Sequence, residues 1–157
     1  MNRRNFLAAL IAATANLALF GRVLGASDIQ LVGTASQQAE GKAALGFLER
    51  VGWFRFVQLN IAEVRFDYEG PHGGMIEPNT HGSRGTVRVA PRFGTATPLA
   101  SMFVHESTHQ MLVNRGIGYG ATEERKWNEG GASLVQQVFH ETMNWQPDAY
   151  RKPEELP

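Results

Sequence analysis

The sequence contains no cysteine among its 157 residues. This absence excludes disulfide bonds, thiolate metal sites and cysteine nucleophiles, so a bound metal ion would need histidine and carboxylate ligands. An excess of one charge is also missing, because 15 basic residues balance 15 acidic ones without a long run of either. We therefore expect neither a nucleic acid nor an anionic membrane surface as a partner. With 43% hydrophobic residues, a chain of this length can bury the core of one domain.

The first 26 residues have the pattern of an export signal. Arg3 and Arg4 precede an apolar stretch at residues 6–20 that is rich in alanine and leucine. The run NRRNFL at residues 2–7 resembles the twin-arginine motif, although the residue before the arginines departs from its usual form. The alternatives are an ordinary secretory signal and an uncleaved anchor, but the apolar stretch is short for a membrane span. We expect a periplasmic or secreted protein with no stable membrane span once the signal is removed.

The remaining residues, 27–157, are expected to form one α+β domain. Apolar positions at helical spacing predict a helix over residues 36–51. Alternation of apolar and polar residues predicts one or two strands within residues 53–68 and another at residues 86–90, where the following proline indicates an edge strand. Between these strands, residues 69–85 contain seven glycines and prolines, which predicts a long loop without regular structure.

Two further helices are predicted in the second half of the chain. The first should extend from residue 98 to residue 114 or 115, with Thr97 as its N-cap and Gly116 as its C-terminal cap. A glycine-rich connector follows, and Thr122 is predicted to cap a second helix that ends near Asn144. The connector is short, so the two helices should lie antiparallel.

The first of these helices carries the sequence His105-Glu106-Ser107-Thr108-His109. Histidines four residues apart lie on one face of a helix, so both imidazoles can bind one metal ion. Glu106 lies on the neighbouring ridge, where its carboxylate can reach a water on that ion. The alternative is a chance motif, in which two ordinary histidines flank a solvated glutamate. An unpaired glutamate in this apolar helix would carry a large desolvation penalty, which a bound divalent cation would remove.

A third metal ligand should lie on a neighbouring element, because catalytic zinc sites usually have three protein ligands and a water. Glu129 is the candidate. It follows His109 after nineteen intervening residues, which is enough for the chain to leave the first helix, turn and return on the second.

The motifs HESTHQ at residues 105–110 and KWNEGGAS at residues 126–133 together resemble the gluzincin clan of zinc metallopeptidases. This clan includes the thermolysins and the aminopeptidases that have a downstream NE motif. The resemblance covers residues 86–137. It implies a zincin-like fold in which a small sheet, with an edge strand, lies next to the HExxH helix, and an antiparallel helix carries the third ligand.

The resemblance also implies roles for single residues. His105, His109 and Glu129 would bind Zn²⁺, and Glu106 would be the catalytic carboxylate. The strand at residues 86–90 would border the cleft and pair with an extended substrate. Relatives often place a group that orients a ligand histidine four residues after the third ligand, which is Ser133 here.

Two more residues are candidates for stabilising a substrate oxyanion. His140 lies eleven positions after Glu129 and would share its face on an unbroken helix. Tyr119 in the glycine-rich connector could supply a hydroxyl instead. For each residue the alternative is an ordinary surface side chain.

Together these patterns predict a zinc-dependent hydrolase, with a peptidase acting on peptide or protein substrates as the preferred interpretation. Zinc would polarise a water and the scissile carbonyl, while Glu106 would transfer the water proton to the leaving amine. One alternative is a zinc-binding protein with a structural or interaction role and little catalysis. Another is a small binding module in which the motif is accidental. The identity of the substrate and of any inhibitory partner is left open by the sequence.

Overall fold

The computed structural model describes residues 28–70, 73–91, 95–118 and 122–143. These residues form a mixed α+β structure with four helices and one four-stranded sheet. In chain order the elements are β1 (Gln30–Val32), α1 (Ala35–Arg50), α2 (Phe54–Asn60), β2 (Ile61–Arg65), β3 (Gly74–Glu77), β4 (Gly85–Val89), α3 (Ala96–Asn114) and α4 (Thr122–Thr142). The predicted export signal lies outside the described residues.

The sheet has the strand order β1-β2-β4-β3. The first three strands in this order are parallel, and β3 joins the outer side of β4 in the antiparallel direction. One face of the sheet is buried, with Val64, Ile76, Val87 and Val89 among its core residues. Helix α3 contacts β3, β4 and the other three helices. It is therefore the central element of the fold and the one from which the candidate site is built.

The predicted helix at residues 36–51 is observed as α1, displaced by one residue. Its N-cap is Thr34, which forms a capping box with Gln37: each side chain bonds the backbone N–H of the other residue.

Of the one or two strands predicted within residues 53–68, one is confirmed as β2. The first half of the segment forms the short helix α2 instead of a second strand. Its aromatic and β-branched residues suggested a strand, but tertiary packing selects a helix here. Phe56 and Val57 are buried, and Trp53 makes edge-to-face contacts with Phe56 and with Phe139 of α4.

The strand next to α3 also differs from the prediction. Strand β4 lies between β2 and β3, so the segment predicted as an edge strand at residues 86–90 is internal. The edge is β3, which lies inside the stretch 69–85 that was predicted to lack regular structure. A Cβ atom on Gly74 would stand only 3.1 Å from the Arg88 carbonyl oxygen and 3.2 Å from Met102 Sδ. The glycine that suggested a loop therefore permits close packing of β3 against β4 and α3.

Helix α3 begins two residues earlier than predicted, at Ala96, with Thr95 rather than Thr97 as its N-cap. Pro98 is still acceptable, since it lies in the first turn, where backbone N–H groups lack intrahelical partners. The predicted C-terminal glycine is confirmed: Gly116 has a φ angle of 79°. Its N–H bonds the Val113 carbonyl, and the next N–H, of Ile117, bonds the Leu112 carbonyl. This pair of bonds is a Schellman motif.

Helix α4 begins at Thr122 and ends at Thr142, two residues before the predicted end. It packs along α3, and together the two form the most extensive helix pair of the described structure. Among the described residues, no helix has the length and apolar character that a membrane crossing requires.

Candidate metal centre

Helix α3 buries an unusual number of polar side chains in succession, from Glu106 through Gln110. Two of them form hydrogen bonds within the helix: the hydroxyls of Ser107 and Thr108 donate to backbone carbonyls one turn earlier. The side chains of Glu106, His109 and Gln110 need partners from other elements, since buried polar groups without hydrogen bonds are costly. Those partners define the site.

The structure brings the three predicted metal ligands together. The Nε2 atoms of His105 and His109 lie 3.1 Å apart. Glu129 Oε2 is 3.9 Å from the first of these nitrogens and 3.6 Å from the second. One ligand atom from each residue falls within 4.8 Å of the others. His109 is almost completely buried, whereas Glu129 keeps 28% of its side chain exposed, so the cluster opens to solvent on the α4 side.

Asn128 determines which nitrogen of His109 carries the proton. Its Nδ2 donates to the carbonyls of Ile117 and Gly118, at 3.1 and 3.4 Å. An amide nitrogen must face these two acceptors, so Oδ1 faces His109 Nδ1, at 2.5 Å. His109 Nδ1 is therefore the donor, and its Nε2 presents a lone pair to the cluster.

Gln136 acts in the same way on His105. Its Nε2 donates to Ser101 Oγ at 2.8 Å and also lies 3.5 Å from the Ser101 carbonyl. Its Oε1 accepts from His105 Nδ1 at 3.1 Å. The Nε2 lone pair of His105 consequently points to the same place as that of His109.

Burial keeps both imidazoles neutral. It lowers the pKa of His105 to about 4; neighbouring His109 lowers this pKa further, while Glu129 and Gln136 oppose the shift. The pKa of His109 is lowered too, chiefly by burial. Two nitrogen lone pairs and a carboxylate oxygen thus converge without a proton between them. This donor set, two neutral imidazoles and one carboxylate with supporting hydrogen bonds behind both rings, fits Zn²⁺.

Glu106 is also buried, with 5% of its surface exposed. Its carboxylate accepts a hydrogen bond from the backbone N–H of Ile76 in β3. Burial raises the pKa of Glu106 to about 8, and the negative charge of Glu129 adds to the effect. A divalent cation at the cluster would favour the ionised form of this carboxyl. Glu106 is therefore close enough to the Ile76 N–H of the edge strand and to Glu129 for both to influence its pKa.

Three further residues were predicted to take part in the site: His140, Ser133 and Tyr119. His140 is buried, and its Nε2 lies 2.6 Å from Ser101 Oγ; burial lowers its pKa. Ser133 is buried on α4, one turn after Glu129. Tyr119 lies outside the described residues, so its suggested role stays a prediction.

Sequence reasoning missed Asn128, Gln136 and Gln110. The amides that bond the two ligand imidazoles come from the position before Glu129 and from the position two turns after it. Amide residues are common on helices, so their type alone gives no signal; for Gln136, seven positions after Glu129, the shared helix face was the available clue.

Gln110 joins the metal-ligand helix to the loop between β3 and β4. It is fully buried, accepts from the backbone N–H of Asn79 and donates to the carbonyls of Asn79 and Gly82 and to the side chain of Asn114. This bonding holds the loop, and through it the end of β3, against the turn of α3 that carries His109.

Comparisons of this chain with protein-family models, with curated proteins and with solved structures find no match.

Proposed function

We propose that this protein is a zinc-dependent hydrolase with a zincin-like arrangement, and that it cleaves peptide bonds. The observation that carries the proposal is the convergence of two imidazole lone pairs and one carboxylate oxygen beside a buried glutamate. Without a cation these electron-rich atoms would repel one another at 3.1 to 3.9 Å. The two amides behind the rings keep the lone pairs directed inward, as a metal site requires.

When bound at His105, His109 and Glu129, zinc would lower the pKa of a water and polarise a carbonyl. The protein itself supplies proton transfer. Glu106, as carboxylate, accepts one proton from the attacking water as the new C–O bond forms, and delivers it to the amine nitrogen as the C–N bond breaks. The Ile76 N–H favours the ionised form of this carboxyl from the side of the sheet edge.

The outer edge of β3 is the proposed binding surface for an extended substrate. The Gly73 carbonyl accepts from the Ala90 N–H, which makes residues 73, 75 and 77 the hydrogen-bonded partners of β4. The backbone groups of Gly74 and Ile76 therefore point away from β4, and the Ile76 N–H already bonds Glu106. A peptide strand added here would run beside the proton-transferring carboxylate. The outer edge of β3 would therefore take the substrate-pairing role that was expected of the strand at residues 86–90.

The test combines metal analysis with one substitution. We expect the purified protein to contain one zinc per chain by elemental analysis and to cleave members of a peptide library. Glu106→Gln should retain zinc and lose hydrolysis by roughly 100-fold or more, since general acid–base catalysis contributes about that much. Glu123→Gln is the matched control, because Glu123 is an exposed carboxylate at the start of α4, paired with Lys126.

The outcomes separate the alternatives. Zinc binding without Glu106-dependent hydrolysis would indicate a structural or interaction role for the metal. Absence of zinc at stoichiometric level would overturn the proposal and favour a binding module with an accidental motif.

A further inference from the structure

A line of buried and partly buried polar side chains extends from the candidate metal centre along the interface of α3 and α4. Ser101, His105 and His109 follow one another at intervals of four residues on α3. On α4, positions 129, 136 and 140 share one face. Since the helices are antiparallel, the two series pair in reverse order: His105 bonds Gln136, and Ser101 bonds His140.

The hydrogen bonds of Gln136 along this line have an assigned direction. Gln136 Nε2 has only hydrogens to offer, so Ser101 Oγ accepts from it. The same Ser101 oxygen also forms a hydrogen bond with His140 Nε2, 2.6 Å away, whose direction depends on the tautomer of His140. Burial lowers the pKa of His140, which favours the neutral imidazole.

We propose that Gln136 and His140 are positioning residues, which act through Ser101 to hold the His105 ring with its Nε2 lone pair toward the cluster. His140 fixes the hydroxyl of Ser101, this hydroxyl fixes the amide of Gln136, and the amide oxygen keeps the proton of His105 on Nδ1. The proposal rests on the proposed function, because the orientation of His105 matters for metal binding. It assigns His140 a role different from stabilisation of an oxyanion.

The first measurement needs no metal. In the zinc-free full-length protein, ¹⁵N shifts of the imidazole nitrogens report which nitrogen of His105 carries the proton. We expect the Nδ1–H form in the wild type and a mixture of both forms in Gln136→Met, whose side chain has similar length but no amide. Retention of the pure Nδ1–H form in this variant would overturn the proposal, whether or not the wild type binds zinc.

The second measurement is the affinity for zinc, determined by competition with a chelator. Gln136→Met should bind zinc about 10–100-fold more weakly, which is the usual effect of removing a group behind a ligand histidine. Gln137→Met is the matched control, because Gln137 bonds Glu141 on the exposed side of α4. Equal affinity in Gln136→Met and the wild type would contradict the proposal. A wild type that fails to bind zinc would refute the proposed function and leave the tautomer measurement to decide the positioning role.

A pair of His140 variants tests the far end of the line. His140→Gln places an amide, which can accept or donate, near the position of Nε2, so it should keep zinc affinity within about threefold of the wild type. His140→Leu offers no polar partner to Ser101 and should weaken zinc binding more than His140→Gln does, with a mixed His105 tautomer. If the two variants are folded, as judged by circular dichroism, and behave alike in both measurements, His140 has a packing role only and the proposal fails for this residue.

Discussion

Two polar regions of this molecule differ in how strongly the surrounding structure fixes the partners of their hydrogen bonds. At the α3–α4 interface the imidazole of His109 is buried and that of His105 is partly buried, and each is bonded by one amide. On the exposed face of the sheet, Arg88 of β4 instead pairs with Asp67 and Glu77. Water can compete for the exposed partners of the second region far more readily than for the buried His109–Asn128 bond of the first. Burial, rather than the number of charged groups, therefore decides where a hydrogen-bonding proton is held on one particular atom.

The largest effect should come from removing a ligand at the buried interface. Zinc at about a thousand times its dissociation constant should stabilise the wild type by about 4 kcal/mol. His109→Leu should lose this zinc-dependent stabilisation, because one of the three converging atoms is gone. Denaturant unfolding with zinc and with a chelator measures it. His81→Leu is the control, since His81 is exposed in the loop after β3. A zinc-dependent shift that persists in His109→Leu would contradict the assignment.

A smaller effect is expected from the amide behind the same ligand. Asn128→Leu leaves the three ligands in place but removes the acceptor for His109 Nδ1, so zinc affinity should fall about 10–100-fold. The zinc-free protein should lose about 1–3 kcal/mol in its free energy of unfolding, since buried polar partners are left without bonds. Asn114→Leu is a suitable comparison, because Asn114 donates to the Ser83 carbonyl and lies at the far end of α3. Unchanged affinity in Asn128→Leu would show that the proton position of His109 is set by something else.

The smallest effect is expected on the exposed face of the sheet. Arg88 bonds Asp67 at 2.8 Å and lowers the pKa of that carboxyl. A pKa that is lower in the folded state gives stability that is present above the unfolded value, near 3.9, and lost as pH falls. Asp67→Asn should therefore cost less than about 1 kcal/mol at pH 7 and nothing near pH 2. A cost that stays the same across this pH range would contradict the ion-pair explanation.

The parts of the fold that were predictable from the sequence are those whose signals are local. The signals at its two ends, Pro98 and the capping glycine Gly116, predicted the bounds of α3 to within two residues. The spacing of four between His105 and His109 gave their common face. The return of Glu129 to this face followed from the length of the connector and the antiparallel second helix.

The features that could not be predicted depend on contacts distant in sequence. Segment 54–60 has strand-like residue types but forms a helix that packs against α3, with Phe56 in contact with Trp53. Strand β3 is only four residues long and lies among glycines and prolines. It pairs with β4 through backbone groups, so its side chains show no pattern that predicts a strand. The amide of Gln136 became informative only when Ser101, 35 residues away, was seen beside it.

The turn that follows α3 has a consequence beyond reversing the chain. The left-handed conformation of Gly116 directs the next two carbonyls, of Ile117 and Gly118, to the Asn128 side chain. The turn thus supports the candidate metal site although it contributes none of the three predicted ligands. An engineer who transplanted only the two helices into another scaffold, with a linker of different shape, would carry over every candidate ligand atom and still lose control of the His109 imidazole.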